Sequence, residues 1–421
     1  MLSKKRFALS MVVAITATAM LLAACGSSST SGSSGTSVNY SGTITIWDDW
    51  TGAYLSAKQQ IVNNFMQQYP NVKINLVTVN LDDNKLITTE KSGVNAPDIV
   101  AFPVDHIGTL ATAGVIQPID SYESAAQLAQ TYTAPAAAGV QFNNHVYGIP
   151  EVTEIVTMFY NKSMVSASQL PTTTSQMLTF EQTYAQQHPG DYGLVWPPND
   201  AYYNAGFFYA YGASYIDGQG NTQIGSPASV QAATFLQSFN QYLPKSLNNQ
   251  TASALFSEGK AAATIDGPWA YDTYAKAIGA NNVGFAVLPT VDSTNKPISP
   301  FVGGKTFMVT KTATNVPLDV AFMKYFTNES NQVTMCVATG EIPANLAAGN
   351  NPQITGNAVI SAFFAQTKNG VPFPNTPYMS AVWTPMANAL VADFQGNTTP
   401  AAAMSQAQSL IQKGVQNISG N

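Results

Sequence analysis

Charge is scarce in this sequence. Of 421 residues, only 10% are Asp, Glu, Lys or Arg, against roughly 25% in ordinary soluble proteins. Arginine is scarcer still, since Arg6 stands alone. The planar guanidinium fork is the usual grip on carboxylates and phosphates, so nucleic acid, nucleotides, amino acids and organic acids are poor candidates for a ligand. The three histidines, His106, His145 and His188, are scattered, without the H-E-x-x-H or C-x-x-C spacing of a zinc site. No G-x-S-x-G element occurs. Val302-Gly303-Gly304-Lys305-Thr306 has part of a phosphate-binding loop, but the first glycine of G-x-x-x-x-G-K-S/T would have to be residue 299, which is Ser299. With these signatures missing, the sequence predicts neither an enzyme nor a bound cofactor or metal.

What the sequence does have begins at its N-terminus. Lys4-Lys5-Arg6 is followed by a mostly apolar run from Phe7 to Met20 and then by Leu22-Ala23-Ala24-Cys25. A basic start, a short apolar stretch and small residues before a cysteine make an export signal of the lipoprotein type. The run is too short for the roughly 30 Å hydrocarbon core of a bilayer. The expectation is that residues 1–24 are removed and Cys25 takes lipid, leaving the exported chain anchored to the outer face of a bacterial cytoplasmic membrane. Cys336 then has no disulfide partner and reads as a small apolar residue of a helix. Gly26 to Ser37 contains only Gly, Ser and Thr, so 25–39 reads as a flexible leash. Loss of 1–24 takes three of the 17 basic residues and none of the 23 acids, leaving 14 against 23 and a formal charge of −9. So thinly charged a surface limits charge imbalance in acid and fits an acidophilic source. The remaining body of about 380 residues is long enough for two domains with large cores.

Along that body, strand and helix patterns alternate. Thr43 to Trp47 is a strand that ends in the polar loop Asp48-Asp49-Trp50-Thr51-Gly52. A helix from about Leu55 carries Ile61, Val62, Phe65, Met66 and Tyr69 on one stripe. Pro70 ends it, and Val72 to Leu76 alternates as a second strand. Pro97 to Ala101 reads as a third strand and again runs into a polar loop, Pro103 to His106. Ser226-Pro227 caps and opens another helix. Ala261 to Ile265 is a strand, and Gly267-Pro268-Trp269 opens a further helix. This alternation predicts an α/β protein with mostly parallel sheets flanked by helices, in which ligands bind beyond the carboxyl ends of the strands. Both polar loops therefore point toward a site.

Several blocks carry a family resemblance. They include Ala96-Pro97-Asp98-Ile99-Val100, Tyr147-Gly148-Ile149-Pro150, Phe159-Tyr160-Asn161-Lys162 and Phe256-Ser257-Glu258-Gly259-Lys260. Ile265-Asp266-Gly267-Pro268-Trp269, Pro300-Phe301-Val302-Gly303-Gly304 and the run Phe373-Pro374-Asn375-Thr376-Pro377-Tyr378-Met379 through Trp383 follow. In their order and spacing the chain resembles the extracellular solute-binding proteins of sugar ABC importers, most of all the maltose/maltodextrin-binding proteins. The resemblance implies two lobes joined by hinge strands, the first from 40–152 with 301–326 and the second from 157–297 with 330–421. It also implies capture by a monomer, in which the lobes close on a neutral oligosaccharide and hand it to a membrane permease.

Site residues carry over one by one by that resemblance. Asp105 matches a loop aspartate that accepts from sugar hydroxyls, and Glu154 a carboxylate contact near the hinge. Asp200 and Tyr202 match an acid-x-Tyr pair, with Tyr203 beside them as a further candidate. Trp269 and Trp383 match two aromatic platforms. Phe102 stands where a tryptophan is frequent, and His106 replaces an arginine. Asp49, Trp50 and Thr51 fill a loop whose usual lysine is Gly52 here, so Trp50 becomes a candidate stacking face. The residue types suit the ligand: rings lie against the C–H face of a pyranose while carboxylates take its hydroxyls. Maltodextrin is the expected sugar, with cyclodextrin, trehalose or a non-glucose oligosaccharide as alternatives. A secreted glycosidase built on a pair such as Glu151/Glu154, or a structural surface lipoprotein, remains a distant reading.

Overall fold

Alternation in Gly42–Asp48 (β1) buries Ile44, Ile46 and Asp48 on one face, the two-residue period of a strand. The computed structural model describes residues 39–80 and 82–420; the expected signal segment, Cys25 and the leash up to residue 38 lie outside them. Thr51 opens helix α1 (Gly52–Gln68), whose buried residues Tyr54, Ala57, Lys58, Ile61, Val62 and Phe65 recur three and four apart. The helix starts three residues before the expected Leu55, and a lysine interrupts its stripe. Strand β2 (Val72–Thr78) lies parallel to β1 and completes a βαβ unit. Helix α2 (Asp83–Ser92), capped by Asp82, leads to β3 (Ile99–Pro103), which is parallel to β1 on its other side. Helix α3 (His106–Thr112) follows.

Strand β4 (Gly148–Pro150) is the last of the first sheet before the chain crosses to β5 (Thr157–Asn161). The second sheet adds β6 (Tyr192–Val195), then helix α4 (Ala201–Tyr211), β7 (Ala261–Asp266) and β8 (Val283–Ala286). A return crossing at 301–304 enters β9 (Lys305–Val309). The sheet orders are β2-β1-β3-β9-β4 and β8-β5-β7-β6. Within each sheet all strands but one point the same way, and the exceptions, β5 and β9, directly follow a crossing. Thr157, first in β5, sits opposite Asp266, last in β7. Lys305, first in β9, sits opposite Pro103, last in β3. Each crossing therefore joins the carboxyl edges of the two sheets. The protein is two-lobed α/β, and its hinge lies where such sheets bind ligands.

The crossing segments touch. Glu154 and Gly303 exchange two backbone hydrogen bonds of 3.0 and 3.1 Å, and Thr153 bridges Ile342. Gly304 has φ +143°, and a Cβ there would lie 2.0 Å from the Val152 carbonyl oxygen. Its glycine serves this close approach rather than a phosphate.

Packing of the C-terminal third departs from the expected lobe boundaries. Helix α5 (Val316–Phe326) and helix α6 (Glu329–Thr339) lie against α1. Val333, Met335, Cys336, Ala344, Ala348, Ile354 and Ile360 join the core around the first sheet. The core around the second sheet takes Ile342, beside the crossing segments, and then Phe363, Met379, Val382 and Met386. Residues 330–360 thus belong by packing to the first lobe: α6 covers the outward flank of α1 and would otherwise leave its own apolar side in water. Cys336 is fully buried there, as a small apolar residue of a helix. No helix among the described residues is long and apolar enough to cross a membrane.

Candidate functional site

Two adjoining cavities of 360 and 460 Å³ lie between the carboxyl edges and share Glu154 and Trp269 as common walls. The first is bounded by the 49–54 turn and Lys305 on one side and by Trp269, Asp272 and Thr273 on the other. The second has Asp105 and His106 from the first lobe facing Asp200, Tyr202, Phe373 and Trp383 from the second.

Local chemistry explains how each side chain arrives. Trp269 follows β7 through the turn Pro268–Ala270, and its indole folds back over Gly267, where a Cβ would lie 2.2 Å from the ring. Trp383 begins a helix (Trp383–Phe394) and donates from Nε1 to Asp105 Oδ2 across the cleft at 3.3 Å. Both tryptophans are half-buried rather than enclosed in a core. Tyr202 stands between Trp269 and Phe373, with ring centroids 6.2 and 5.7 Å away, and Phe373 meets Trp383 edge-on at 6.0 Å. Four aromatic rings thus line one wall. Asp200 caps α4, accepting on Oδ1 from the backbone N–H of Tyr202 and Tyr203 at 2.8 and 3.1 Å. Its other oxygen carries no such bond, and its place in the cavity wall leaves both roles in one side chain.

Three expected ligand residues are placed otherwise. Phe102 is only 1% exposed and lines neither cavity; its position in β3 turns it into the core, edge-on to His106 at 5.1 Å. Tyr203 also lines neither, because one further step around α4 turns its hydroxyl inward to donate to Asp266 at 2.8 Å. Trp50 does border the first cavity, but its faces are taken. Tyr54 stacks on it at 4.0 Å with rings 10° from parallel, and the Lys305 ammonium sits 4.0 Å from its centroid. Two groups so close to one centroid cannot share a face, so Trp50 offers an edge and no stacking surface. Thr51 and Asp49 stay at the rim of that cavity, Asp49 in ion-pair contact with Lys305.

The site rests on a buried ionic cluster. Lys58 contacts Asp48 and lies 2.6 Å from Glu151. Burial opposes its charge, yet Asp48 and Glu151 outweigh burial and hold the ammonium above its ordinary range. Lys305 is 3.4 Å from Asp48, and burial pulls its pKa down. Burial, with Glu151 nearby, raises Glu154 to about 8. His106 is half-buried, and although that burial opposes its charge, Asp105 and Asp83, the latter 2.7 Å from Nδ1, hold its proton up to about 9. Asp105 is raised by burial and, as the residue before α3, makes no side-chain cap to it, which leaves its oxygens for the cavity and Trp383. Among the described residues no group of three or more His, Cys, Asp and Glu is arranged to hold a metal ion.

Tyr54, Lys305, Asp272, Thr273 and Phe373 line the cavities without having been anticipated as ligand residues. Asp272 and Thr273 follow Trp269 by three and four residues, the spacing that keeps side chains on one side of a helix, so that signal was readable. For Lys305 the only hint was the failed phosphate-loop motif.

Residues 60–362 match the family described as bacterial extracellular solute-binding protein. A galactooligosaccharide-binding protein of Bacillus subtilis is 27% identical over 93% of this chain and 93% of its own length. A maltooligosaccharide ABC transporter solute-binding lipoprotein of Streptococcus pneumoniae is 27% identical over 96% of each chain. Among solved structures, a cyclo/maltodextrin-binding protein complexed with maltotetraose superposes with a TM-score of 0.77 at 27% identity, covering 90% of this chain and 99% of that one. With the family match spanning most of the chain and a cleft of this make-up between its lobes, the protein is a binding protein rather than an enzyme, and it belongs to the bacterial extracellular solute-binding protein family.

Proposed function

We propose that this protein captures neutral maltooligosaccharides for an ABC importer, held by lipid on Cys25 and delivering its sugar to a membrane permease as a monomer. The observation that carries the reading is the pairing, in one interlobe cleft, of half-buried Trp269, Trp383 and Tyr202 with the acceptor carboxyls Asp105, Glu154 and Asp200. Rings take the apolar face of a pyranose and carboxyls its hydroxyls. The lack of arginine beyond Arg6 suits an uncharged ligand. Sugar that touches both lobes has higher affinity for the closed arrangement and shifts the population toward it. Relatives named for maltooligosaccharides and for a galactooligosaccharide make oligosaccharides of galactose the second reading.

A thermal-shift panel of malto- and galactooligosaccharides decides between them. Ligand at 100 times its dissociation constant adds about 2.7 kcal/mol of stability. Trp269→Ala or Trp383→Ala lowers affinity by about 1–3 kcal/mol, or 5- to 150-fold. Unchanged affinity in both variants by titration calorimetry removes the two rings from the site and with them the reading.

A further inference from the structure

Glu341 lies outside every motif of the sequence and lines neither cavity, yet it is fully buried against the site. It follows α6, one residue before Ile342, which bridges Thr153 on the first crossing segment. Its Oε1 accepts from the Tyr54 hydroxyl at 2.6 Å, the length of a charge-assisted O–H···O⁻ bond. Its Oε2 is buried with no donor among the described residues, and the antiparallel bridge between Thr153 and Ile342 sets Glu154, itself buried, opposite Glu341.

Charge counting sharpens the point. Asp48, Glu151, Glu154 and Glu341 are all buried, and the buried cations beside them are Lys58 and Lys305. Lys58 is engaged by Asp48 and Glu151, and Lys305 by Asp48 and Asp49. Glu154 and Glu341 form no ion pair among the described residues. Two carboxylates cannot hydrogen-bond each other or stay buried side by side with both charges, so such a pair keeps one proton between them.

We propose that Glu341 is the positioning residue for Glu154: the two carboxyls hold one proton between them, which ties one Glu154 oxygen to Glu341 and leaves the other presented to the cleft. That oxygen then accepts from a ligand hydroxyl, while the single negative charge left on the pair repels anions. This rests on the sugar-capture reading and refines it, naming hydroxyl donors as what the hinge-side wall selects. When the proton is lost, the paired charges repel and Glu154 leaves its place. The other titratable groups facing the pair are Tyr54 on α1, Glu151 on the same crossing, Lys305 on β9, Cys336 on α6 and Tyr202 on α4. Burial pushes the Tyr54, Tyr202 and Cys336 groups well above their ordinary ranges, and burial together with Glu154 raises Glu341.

The test is calorimetric titration of maltotriose into the full chain from pH 5.5 to 9.5, for wild type, Glu341→Gln, Glu154→Gln and Glu341→Leu. Wild-type affinity is flat near neutrality and then falls about tenfold per pH unit once the pair loses its proton. Glu341→Gln keeps near-wild-type affinity at pH 7 and loses the alkaline fall, because its amide donates to Glu154 without a titrating proton. Glu154→Gln is likewise flat. Glu341→Leu, with no donor, binds at least about tenfold more weakly at every pH, the loss of one hydrogen bond to a charged group. A flat wild-type profile, or an unshifted alkaline fall in Glu341→Gln, overturns the assignment. Infrared difference spectra between pH 6 and 9.5 read the proton without ligand: a carboxylic-acid C=O band that titrates in wild type and vanishes in both Gln variants supports it, and its absence overturns it. If that band is present but no oligosaccharide gives heat, the shared proton stands and the sugar reading falls.

Discussion

Replacing Gly108 by Ala is expected to weaken ligand binding without touching the ligand. Gly108 lies on α3 of the first lobe, and its Cα faces the backbone of Asn375–Pro377 from the second. A Cβ there would sit 2.4 Å from the Asn375 carbonyl oxygen and the Pro377 nitrogen, and 2.6 Å from the Thr376 carbonyl carbon. Ordinary contact begins near 3.4 Å, and all three neighbours are backbone, so the segment must withdraw by about 1 Å. That withdrawal pulls on two further links between the lobes, the Asn375 Nδ2 donations to the Gly139 and Gln141 carbonyls at 2.9 and 2.6 Å. Overpacking of one methyl costs about 1–3 kcal/mol, and weakening two neutral hydrogen bonds adds about 1 kcal/mol. If this contact forms as the lobes close, the cost falls on the closed state alone. Together these costs of about 2–4 kcal/mol lower affinity for the oligosaccharide by about 30- to 700-fold, while the melting temperature of the ligand-free protein stays at its wild-type value. Small-angle scattering at saturating ligand checks the same point, with the variant retaining a larger radius of gyration than wild type. A variant that binds normally refutes the reasoning. So does one that loses ligand-free stability with its affinity intact, since the contact would then be permanent rather than part of closure.

Two further outcomes follow from groups outside the cleft. Tyr203→Phe removes the donation to Asp266, which still keeps the Tyr274 hydroxyl at 2.6 Å and the Gly267 N–H at 2.8 Å; denaturant unfolding is expected to show a loss of about 1–2 kcal/mol with sugar affinity unchanged, and the reverse pattern would put Tyr203 back in the site. Asp319 on α5 is 1% exposed, its carboxyl has no hydrogen-bond partner among the described residues, and burial with Asp98 nearby raises it to about 8. Because the folded value lies above the ordinary carboxylate range, the folded state holds the proton more tightly. Stability from this group is therefore full below about pH 4 and is lost as pH rises toward 8, at up to about 1.4 kcal/mol per pH unit. Asp319→Asn flattens that part of the pH–stability curve and is more stable than wild type at pH 8; equal slopes in the two proteins would show the carboxyl is not held protonated. The same lean toward acid accords with the thinly charged composition.

Much of the frame was legible in the residues themselves. The alternation in 42–48, the three-and-four spacing in α1 and the Ser226-Pro227 helix start are local signals, fixed by chain stereochemistry over a few residues. The two polar loops after β1 and β3 could be assigned to a site because parallel sheets expose their carboxyl edges. Asp105, Glu154, Asp200, Tyr202, Trp269 and Trp383 do converge on one cleft. The errors share a cause. A resemblance matches positions in the chain but not the packing around them, so Tyr203 and Phe102 could not be told from cleft residues, nor Trp50 from a free platform.

What the amino-acid order determined by itself is therefore the class of elements, the export signal expected ahead of Cys25, and a stock of rings and carboxyls with almost no arginine to oppose them. Tertiary structure alone decided which of those groups meet. Tyr54 reaches Glu341 across 287 positions of sequence, Lys305 closes over Trp50 from a strand far along the chain, and residues 330–360 join the first lobe because α6 covers α1. Such pairings are set by how sheets and helices stack to exclude water and satisfy buried charge. No window of neighbouring residues contains that information.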